Sequence, residues 1–279
     1  MFSACRDPTE RLNMEFQTIS VSSAPGTGAQ DGIRVLTLRR PEVMNAMNTL
    51  MFTEMRSALR ELAYEDGLRV LILTGEGTRA FSAGGDLKER NGMSDEVWRA
   101  QHQLIEDVYL AVKDFPLPVI AAVEGHAHGG GCELALMADF IVASKTAVFS
   151  LAEVKRGILP GGGGVQNLVR AAGMRRAKQL IFTGDQFGAA EALRWGMLNE
   201  LVEAGQALTA AVEIALRIVA AAPMSVRYAK LAATRGGEVD FHTGYMLDLA
   251  AYNVLVSSED RREGVLAFNE KRAPLWANK

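Results

Sequence analysis

One stretch near the middle of the chain decides the fold: Val119-Ile-Ala-Ala-Val-Glu-Gly-His-Ala-His-Gly-Gly-Gly-Cys-Glu-Leu-Ala-Leu-Met-Ala138. Its first five residues are apolar and of strand length, and Pro116 and Pro118 precede them, so a buried strand is predicted there. The glycines then end the strand, and the apolar residues 132–138 predict a helix. A strand, a glycine-rich turn and a helix in direct succession are typical of α/β proteins.

The same alternation continues on both sides of this stretch. Strands are predicted at 33–38, 70–74, 140–143 and 148–151, and helices at 48–64 and 95–114. Residues 20–32, rich in Ser, Gly, Ala and Pro, are interpreted as a connecting segment. Beyond residue 205 only helical patterns remain. We therefore predict an α/β fold with a disordered segment at 1–15, a catalytic core at 16–204 and a helical region at 205–279.

The composition argues against several classes of protein. Lys and Arg (30) nearly balance Asp and Glu (33), so the net charge favours neither nucleic acid nor an anionic membrane as a partner. The apolar stretch at 208–222 contains Glu213 and Arg217, which indicates a core helix rather than a membrane span. The only cysteines, Cys5 and Cys132, are too few for a disulfide framework. We expect a cytoplasmic protein.

Three glycine-rich segments fall where predicted strands end: Ser82-Ala-Gly-Gly-Asp86, Gly129-Gly-Gly131 and Pro160-Gly-Gly-Gly-Gly164. Glycine permits positive φ and lets a ligand approach the backbone, although it serves tight turns equally well. The second segment opens a helix, where unpaired N–H groups and the positive end of the dipole favour negative charge. An oxyanion site is therefore predicted at that segment.

Two glutamates adjoin these glycine-rich connections. Glu133 falls in the first turn of the predicted helix, and Glu153 follows the strand predicted at 148–151. Two carboxyl groups that meet at such a place can divide the roles of general acid and general base. From spacing alone another interpretation is equally open, in which Glu133 complements the helix dipole and Glu153 is a solvated loop charge.

Five ordered motifs between about residues 17 and 276 resemble the enoyl-CoA hydratase/isomerase (crotonase) superfamily. They are Arg40-Pro-Glu-Val-Met-Asn-Ala46, Phe81-Ser-Ala-Gly-Gly-Asp-Leu-Lys88, Gly125-His-Ala-His-Gly-Gly-Gly-Cys-Glu-Leu134, Phe149-Ser-Leu-Ala-Glu-Val-Lys-Arg-Gly-Ile-Leu-Pro-Gly161 and Phe268-Asn-Glu-Lys-Arg-Ala-Pro274. The resemblance implies a crotonase-like spiral of repeated ββα units, with a C-terminal α-helical region that forms a homotrimer or homohexamer. It also implies an acyl-CoA thioester as the substrate.

The resemblance assigns roles to the candidate site residues. It implies that the N–H groups of Gly85 and Gly130 hold the thioester oxygen, and that Glu133 and Glu153 hold and activate water. Family members that lack one of these acids catalyse other reactions, so the pair favours hydration of an enoyl-CoA. We favour Glu153 as the proton donor to the α-carbon and Glu133 as the group that activates water, while the split stays open. The backbone of Gly161 is expected to orient the water.

Further contacts with the substrate are also implied. Such contacts are expected from Ala46, Ala83, Asp86, Leu87 and Lys271. Asp86 matches an acid that braces the oxyanion loop. Lys88, Lys271 and Arg272 are candidates for the coenzyme A phosphates, although solvated surface charge is an equally open interpretation for each. No cofactor is expected, because coenzyme A is part of the substrate.

Other motifs favour different functions less well. His126-Ala-His128 places two imidazoles on one strand face, but no third ligand is signalled, so no metal site is predicted. Cys132 is expected to pack in the core. The segment from Gly125 to Gly131 reads G-x-x-x-G-G-G, which departs from the dinucleotide pattern G-x-G-x-x-G. The alternatives that remain are an enoyl-CoA isomerase, a dehydratase of a functionalised acyl-CoA and a non-catalytic RNA-binding oligomer.

Overall fold

The computed structural model of the chain describes residues 15–28 and 31–279, so the disorder predicted for residues 1–15 falls almost wholly outside the described residues. The strands are β1 (Ile19–Ser23), β2 (Ile33–Leu38), β3 (Val70–Gly75), β4 (Ala80–Ser82), β5 (Val119–Val123), β6 (His126–His128), β7 (Phe140–Ser144), β8 (Val148–Ser150), β9 (Phe187–Gly188) and β10 (Glu200–Val202). The helices are α1 (Thr49–Leu62), α2 (Leu87–Arg90), α3 (Asp95–Lys113), α4 (Gly130–Met137), α5 (Gly164–Ala172), α6 (Met174–Thr183), α7 (Ala189–Arg194), α8 (Ala207–Val219), α9 (Pro223–Gly236), α10 (Phe241–Val256) and α11 (Glu259–Glu270).

The strands form two sheets. The larger sheet has the order β1-β2-β3-β5-β7-β10, and all its neighbours pair in parallel except the edge pair β1 and β2. The smaller sheet has the order β4-β6-β8-β9, with β4, β6 and β8 parallel. Three pairs of consecutive strands each contribute one strand to the larger sheet and one to the smaller sheet, and a helix follows each pair. The pairs are β3–β4, β5–β6 and β7–β8. The predicted repeat of ββα units is confirmed.

The central strands of the larger sheet, β2, β3, β5 and β7, are buried on both faces, which explains their largely apolar sequences. In β5, Val119, Ala121 and Val123 belong to one core cluster with α1 and α3, while Ile120 and Ala122 belong to a second cluster. The second cluster includes four alanines of α8, namely Ala207, Ala210, Ala211 and Ala215. The boundary predicted at residue 204 lies in the turn between β10 and α8. Since α8 covers the sheet, the helical region also contributes to the core.

Long apolar elements match their predictions better than short ones. The bounds of β2 and β5 agree with the predicted strands, and α1 and α3 lie within the predicted helices. The interpretation of 20–32 as a connecting segment is wrong for residues 20–23, which belong to β1 and pair with β2. The backbone hydrogen bonds of this edge strand outweigh its serine-rich composition. The short strands β4, β6 and β9 span too few residues to show a period.

No one helix in the described ranges combines the length and the apolar character that crossing a membrane requires. The helices α8 and α9 meet those criteria only when taken together, and they are bent by 111° relative to each other.

Candidate active site

The topology of the smaller sheet assembles the predicted site. The parallel strands β4, β6 and β8 are neighbours, so their carboxyl ends lie at one edge. Gly84 and Gly85 follow β4, Gly129 and Gly130 follow β6, and Glu153 follows β8. The carboxyl ends of parallel strands are the usual location of ligand sites. Segments that are far apart in sequence therefore meet where the sequence predicts chemistry.

The two glycine segments lie side by side. A Cβ on Gly130 would be 3.6 Å from the Gly85 nitrogen, and a Cβ on Gly84 would be 3.0 Å from the Gly130 nitrogen. Gly84 and Gly129 have φ values of 91° and 51°, which favour glycine. Within the described ranges, the N–H groups of Gly85 and Gly130 donate to no protein acceptor. Two adjacent free donors of this kind can stabilise an oxyanion.

Asp86 holds the glycine segment at 82–86 in place through hydrogen bonds. Its carboxylate caps α2 by accepting from the N–H groups of Lys88 (3.0 Å) and Glu89 (3.3 Å). Arg40 donates to Asp86 (2.8 Å) and to the carbonyl of Ala46 (2.7 Å). Burial opposes ionisation of Asp86, but the hydrogen bonds from Arg40 and the two amides lower its pKa overall. These contacts fit the bracing role predicted for Asp86.

Glu133 is a buried acid that is held by the third glycine segment. Its side chain lies in the first turn of α4 and is 4% exposed. Its Oε1 accepts from the N–H groups of Gly162 (2.8 Å) and Gly164 (2.9 Å). Burial is the main reason that its pKa rises to about 7, and the charge of Glu153 adds to the rise against the opposing amides. A carboxyl group with this pKa can exchange protons near neutrality.

Glu153 lies against the turn that precedes Gly130. Its Oε1 is 3.0 Å from the point where a Cβ on Gly129 would be, and its Oε2 is buried without a described hydrogen-bond partner. Burial raises the pKa of Glu153. These facts rule out a solvated loop charge. A buried carboxyl oxygen that lacks a partner is available to a ligand.

The other residues predicted to contact the substrate or the water differ in their burial. Ala46 and Ala83 are half-buried, whereas Leu87 is exposed at the start of α2. Gly161 is exposed, and its N–H donates to no acceptor in the described part of the chain. A Cβ on Gly161 would be 2.7 Å from Cε1 of His102, so a side chain at this position would require the His102 ring to shift. The roles of these residues in holding substrate and water stay predictions.

The side chains of the predicted basic contacts form no described hydrogen bond or ion pair with the site residues. Lys271 is exposed at the end of α11, and its side chain has no described hydrogen bond or ion pair with the site residues. Arg272 is paired with Glu263 (2.6 Å) and Glu270 (2.7 Å). Lys88 is exposed. Within this subunit, the phosphate-binding role of these cations stays a prediction.

Tyr109 is the main site residue that sequence reasoning missed. Its hydroxyl donates to the carbonyl of Gly130 (2.8 Å), and its ring fills the space beside Gly162, where a Cβ would lie 2.0 Å from Cε2. Burial, followed by the charges of Glu133 and Glu153, raises the pKa of Tyr109, so the hydroxyl keeps its proton. The only signal in the sequence is a hydroxyl on the apolar face of α3.

The two histidines of β6 share one face, as predicted. Nε2 of His128 is 3.0 Å from Nδ1 of His126, and Oγ of Ser150 is 2.8 Å from Nδ1 of His128. No group of three His, Cys, Asp or Glu side chains suited to a metal ion occurs among residues 15–28 and 31–279. Cys132 is fully buried, and burial raises the pKa of its thiol, so its predicted packing role is confirmed.

Known proteins share this architecture and much of the sequence. "Short-chain-enoyl-CoA hydratase" of Clostridium acetobutylicum is 40% identical over 86% of this chain and 92% of its own length. "Crotonyl-CoA hydratase" of Syntrophomonas wolfei is 36% identical over 90% of this chain and 96% of its own length. The crystal structure of enoyl-CoA hydratase from Bacillus anthracis aligns with a TM-score of 0.90 and 39% identity, covering 94% of this chain and all of that one.

The sequence model of the enoyl-CoA hydratase/isomerase family matches residues 28–279. This range includes both sheets except β1, both glycine segments of the oxyanion site and both candidate glutamates. The likeness is therefore not confined to the fold, and the chain belongs to the enoyl-CoA hydratase/isomerase family.

Proposed function

We propose that the protein is an enoyl-CoA hydratase, a hydro-lyase that reversibly adds water across the trans-2 double bond of an acyl-CoA thioester. One observation carries the proposal: two glutamates with raised pKa values, the buried Glu133 and the half-buried Glu153, adjoin the free N–H groups of Gly85 and Gly130. The relatives named as hydratases support the same reaction.

The geometry suggests how the work is divided. The N–H groups of Gly85 and Gly130 accept charge on the thioester oxygen, which makes the β-carbon electrophilic; such donors are typically worth about 3 to 4 kcal/mol each. Glu133 takes a proton from water as the water oxygen bonds to the β-carbon. Glu153 gives a proton to the α-carbon. Every atom comes from substrate and water, so the proposed reaction uses no cofactor.

Turnover of a panel of trans-2-enoyl-CoA esters tests the reaction directly, since hydration removes the absorbance of the conjugated thioester. We expect Glu133→Gln and Glu153→Gln each to lower kcat by about 10²- to 10⁴-fold. Glu54→Gln is the matched control. Glu54 is also buried, but its carboxylate lies away from the site and accepts hydrogen bonds from the N–H and hydroxyl groups of Thr18. A loss of only a few-fold in both site variants, or isomerisation without hydration, would overturn the proposal.

We also propose that the protein assembles as a homotrimer or homohexamer through α9, α10 and α11. The support is the apolar surface of α10, where Phe241 is 78% exposed, Met246 64% and Tyr252 67%. Monomers rarely leave an apolar surface of this kind in water. Light scattering should show a trimer or hexamer for the native chain and smaller species for Met246→Lys. A stable native monomer would contradict the assembly.

A cytoplasmic location and a role in fatty-acid β-oxidation complete the proposal. The free, buried Cys132 fits a reducing compartment, and enoyl thioesters are intermediates that a hydratase would consume. Cell fractionation tests the location. Growth of a deletion strain on fatty acids as the carbon source tests the role, and unimpaired growth would count against it.

A further inference from the structure

The guanidinium group of Arg90 lies beside the oxyanion segment. Arg90 ends α2, and its Cζ is 3.2 Å, and its two terminal nitrogens 3.4 Å, from the point where a Cβ on Gly85 would be. The same group is 4.6 Å from the centre of the Trp98 ring. This cation therefore packs against the main chain that we propose holds the thioester.

A chain of hydrogen bonds fixes one edge of this guanidinium. Its Nε donates to Oε1 of Gln101 (2.8 Å), a side chain that is only 5% exposed. The amide of Gln101 in turn donates to Oγ1 of Thr49 (2.8 Å) and to Oε2 of Glu89 (2.9 Å). Because both ends of the Gln101 side chain are engaged, Gln101 has one orientation and holds Arg90 in place.

The opposite edge of the guanidinium is free. In the described part of the chain, Nη1 and Nη2 of Arg90 donate to no protein acceptor and form no ion pair. Burial lowers the pKa of Arg90, and nearby acidic groups offset this only in part. A half-buried cation without an ion pair is unfavourable, and a bound anion relieves that cost. The fork of an arginine matches the two oxygens of a carboxylate.

We propose that Arg90 binds a carboxylate on the acyl group, so that the preferred substrate is a short trans-2-enoyl-CoA with a carboxylate at the far end of its acyl chain. The inference rests on the proposed function, because that function places the thioester oxygen at Gly85. Arg90 contacts Gly85, so a carboxylate a few carbons beyond the thioester reaches its free edge.

A matched pair of substrates tests this preference. Glutaconyl-CoA and trans-2-pentenoyl-CoA have acyl chains of equal length, which end in a carboxylate and a methyl group respectively. We expect the native enzyme to favour glutaconyl-CoA in kcat/KM by on the order of 10- to 100-fold. Arg90→Met should abolish this ratio, and Arg90→Lys, which keeps the charge without the fork, should leave an intermediate ratio.

Arg99→Met is the control, because Arg99 is an exposed arginine on α3 that pairs only with Asp95, and it should keep the native ratio. Equal kcat/KM values for the two esters in the native enzyme, or an unchanged ratio in Arg90→Met, would overturn the inference. If the native enzyme hydrates no ester of the trans-2-enoyl-CoA panel, the proposed function fails, and binding then decides about Arg90. Glutaryl-CoA and pentanoyl-CoA carry no double bond, so calorimetry can compare their binding without turnover. We expect the native protein to bind glutaryl-CoA more tightly and Arg90→Met to bind both equally. Equal Kd values for the two ligands in the native protein would overturn the inference.

Discussion

The hydroxyl of Tyr109 donates to the carbonyl oxygen of Gly130 across 2.8 Å, while the ring of the same tyrosine packs against Gly162. Gly130 carries one of the free N–H groups, and Gly162 donates to Glu133. One side chain on α3 thus fixes the spacing between the proposed oxyanion site and the acid that we propose activates water. This contact is the basis of the first prediction.

Tyr109→Phe should lower both stability and turnover. The substitution removes the hydrogen bond from the tyrosine hydroxyl to the carbonyl of Gly130, and such a bond contributes about 0.5 to 1.5 kcal/mol. We expect kcat to fall about 10-fold with a smaller change in KM, since one proton-transfer distance is loosened. Urea unfolding and steady-state kinetics measure the two effects. Tyr64→Phe, at a tyrosine that is 78% exposed, should change neither, and a native kcat in Tyr109→Phe would contradict the positioning role.

Glu133 should make stability and rate depend on pH in opposite directions. Its folded pKa of about 7 exceeds its ordinary value of 4.5, so the folded protein binds this proton more tightly than the unfolded chain. Stability should therefore fall by up to about 3 kcal/mol as pH rises from 4.5 to 7. The rate should rise over the upper part of that range, because a base must be ionised.

Denaturant unfolding of the native protein and of Glu133→Gln, followed across the same pH range, isolates this contribution. The variant should gain stability relative to the native protein as pH rises. The acidic limb of the native kcat/KM profile should lie near the folded pKa of Glu133, since kcat/KM reports groups of the free enzyme. Parallel stability curves for the two proteins would show that the carboxyl group is not titrating in this way.

Gly131→Ala should separate the two glycine segments. A Cβ at this position would lie 2.2 Å from the carbonyl oxygen of Ser82, at the end of β4. The overlap should cost about 1 to 3 kcal/mol and push α4 away from the segment that carries Gly85. We expect a lower melting temperature and a kcat reduced more than KM is raised. Gly188→Ala, where a Cβ meets nothing within 4 Å, is the control.

His128 should make the stability of the folded protein depend on pH with the opposite sign to that of Glu133. Burial, and then the neighbouring His126, lower the pKa of His128 below its ordinary 6.5, so the unfolded chain binds this proton more tightly. Stability should be lost as pH falls through about 6.5. His128→Gln should reduce that loss, as measured by urea midpoints above and below this pH. The exposed His242→Gln should leave it unchanged.

The sequence predicted the site better than its surroundings, and the reason is physical. Gly85, Gly130, Glu133 and Glu153 fall at strand ends and at a helix start, which local patterns reveal, and the resemblance gave them roles. Whether Glu133 and Glu153 were buried acids or solvent-facing charges could not be read locally, because burial depends on the packing of α3 and the third glycine segment.

Contacts between distant segments were not predictable from the sequence. The hydroxyl of Tyr109 and the guanidinium of Arg90 reach the site only because α2 and α3 fold back over the strand ends. The edge strand β1 was missed for a similar reason, since its pairing with β2 rather than its composition makes it a strand.

The division of the site between main chain and side chains affects how its chemistry can change. The groups that we propose polarise the thioester are peptide N–H groups, which no ordinary substitution removes while the glycine turns keep their shape. The groups that we propose move protons are two side chains, and each is replaceable by a single substitution. A lineage with this fold can therefore exchange one reaction for another by altering Glu133 or Glu153, while the ability to stabilise an enolate passes unchanged to the new enzyme.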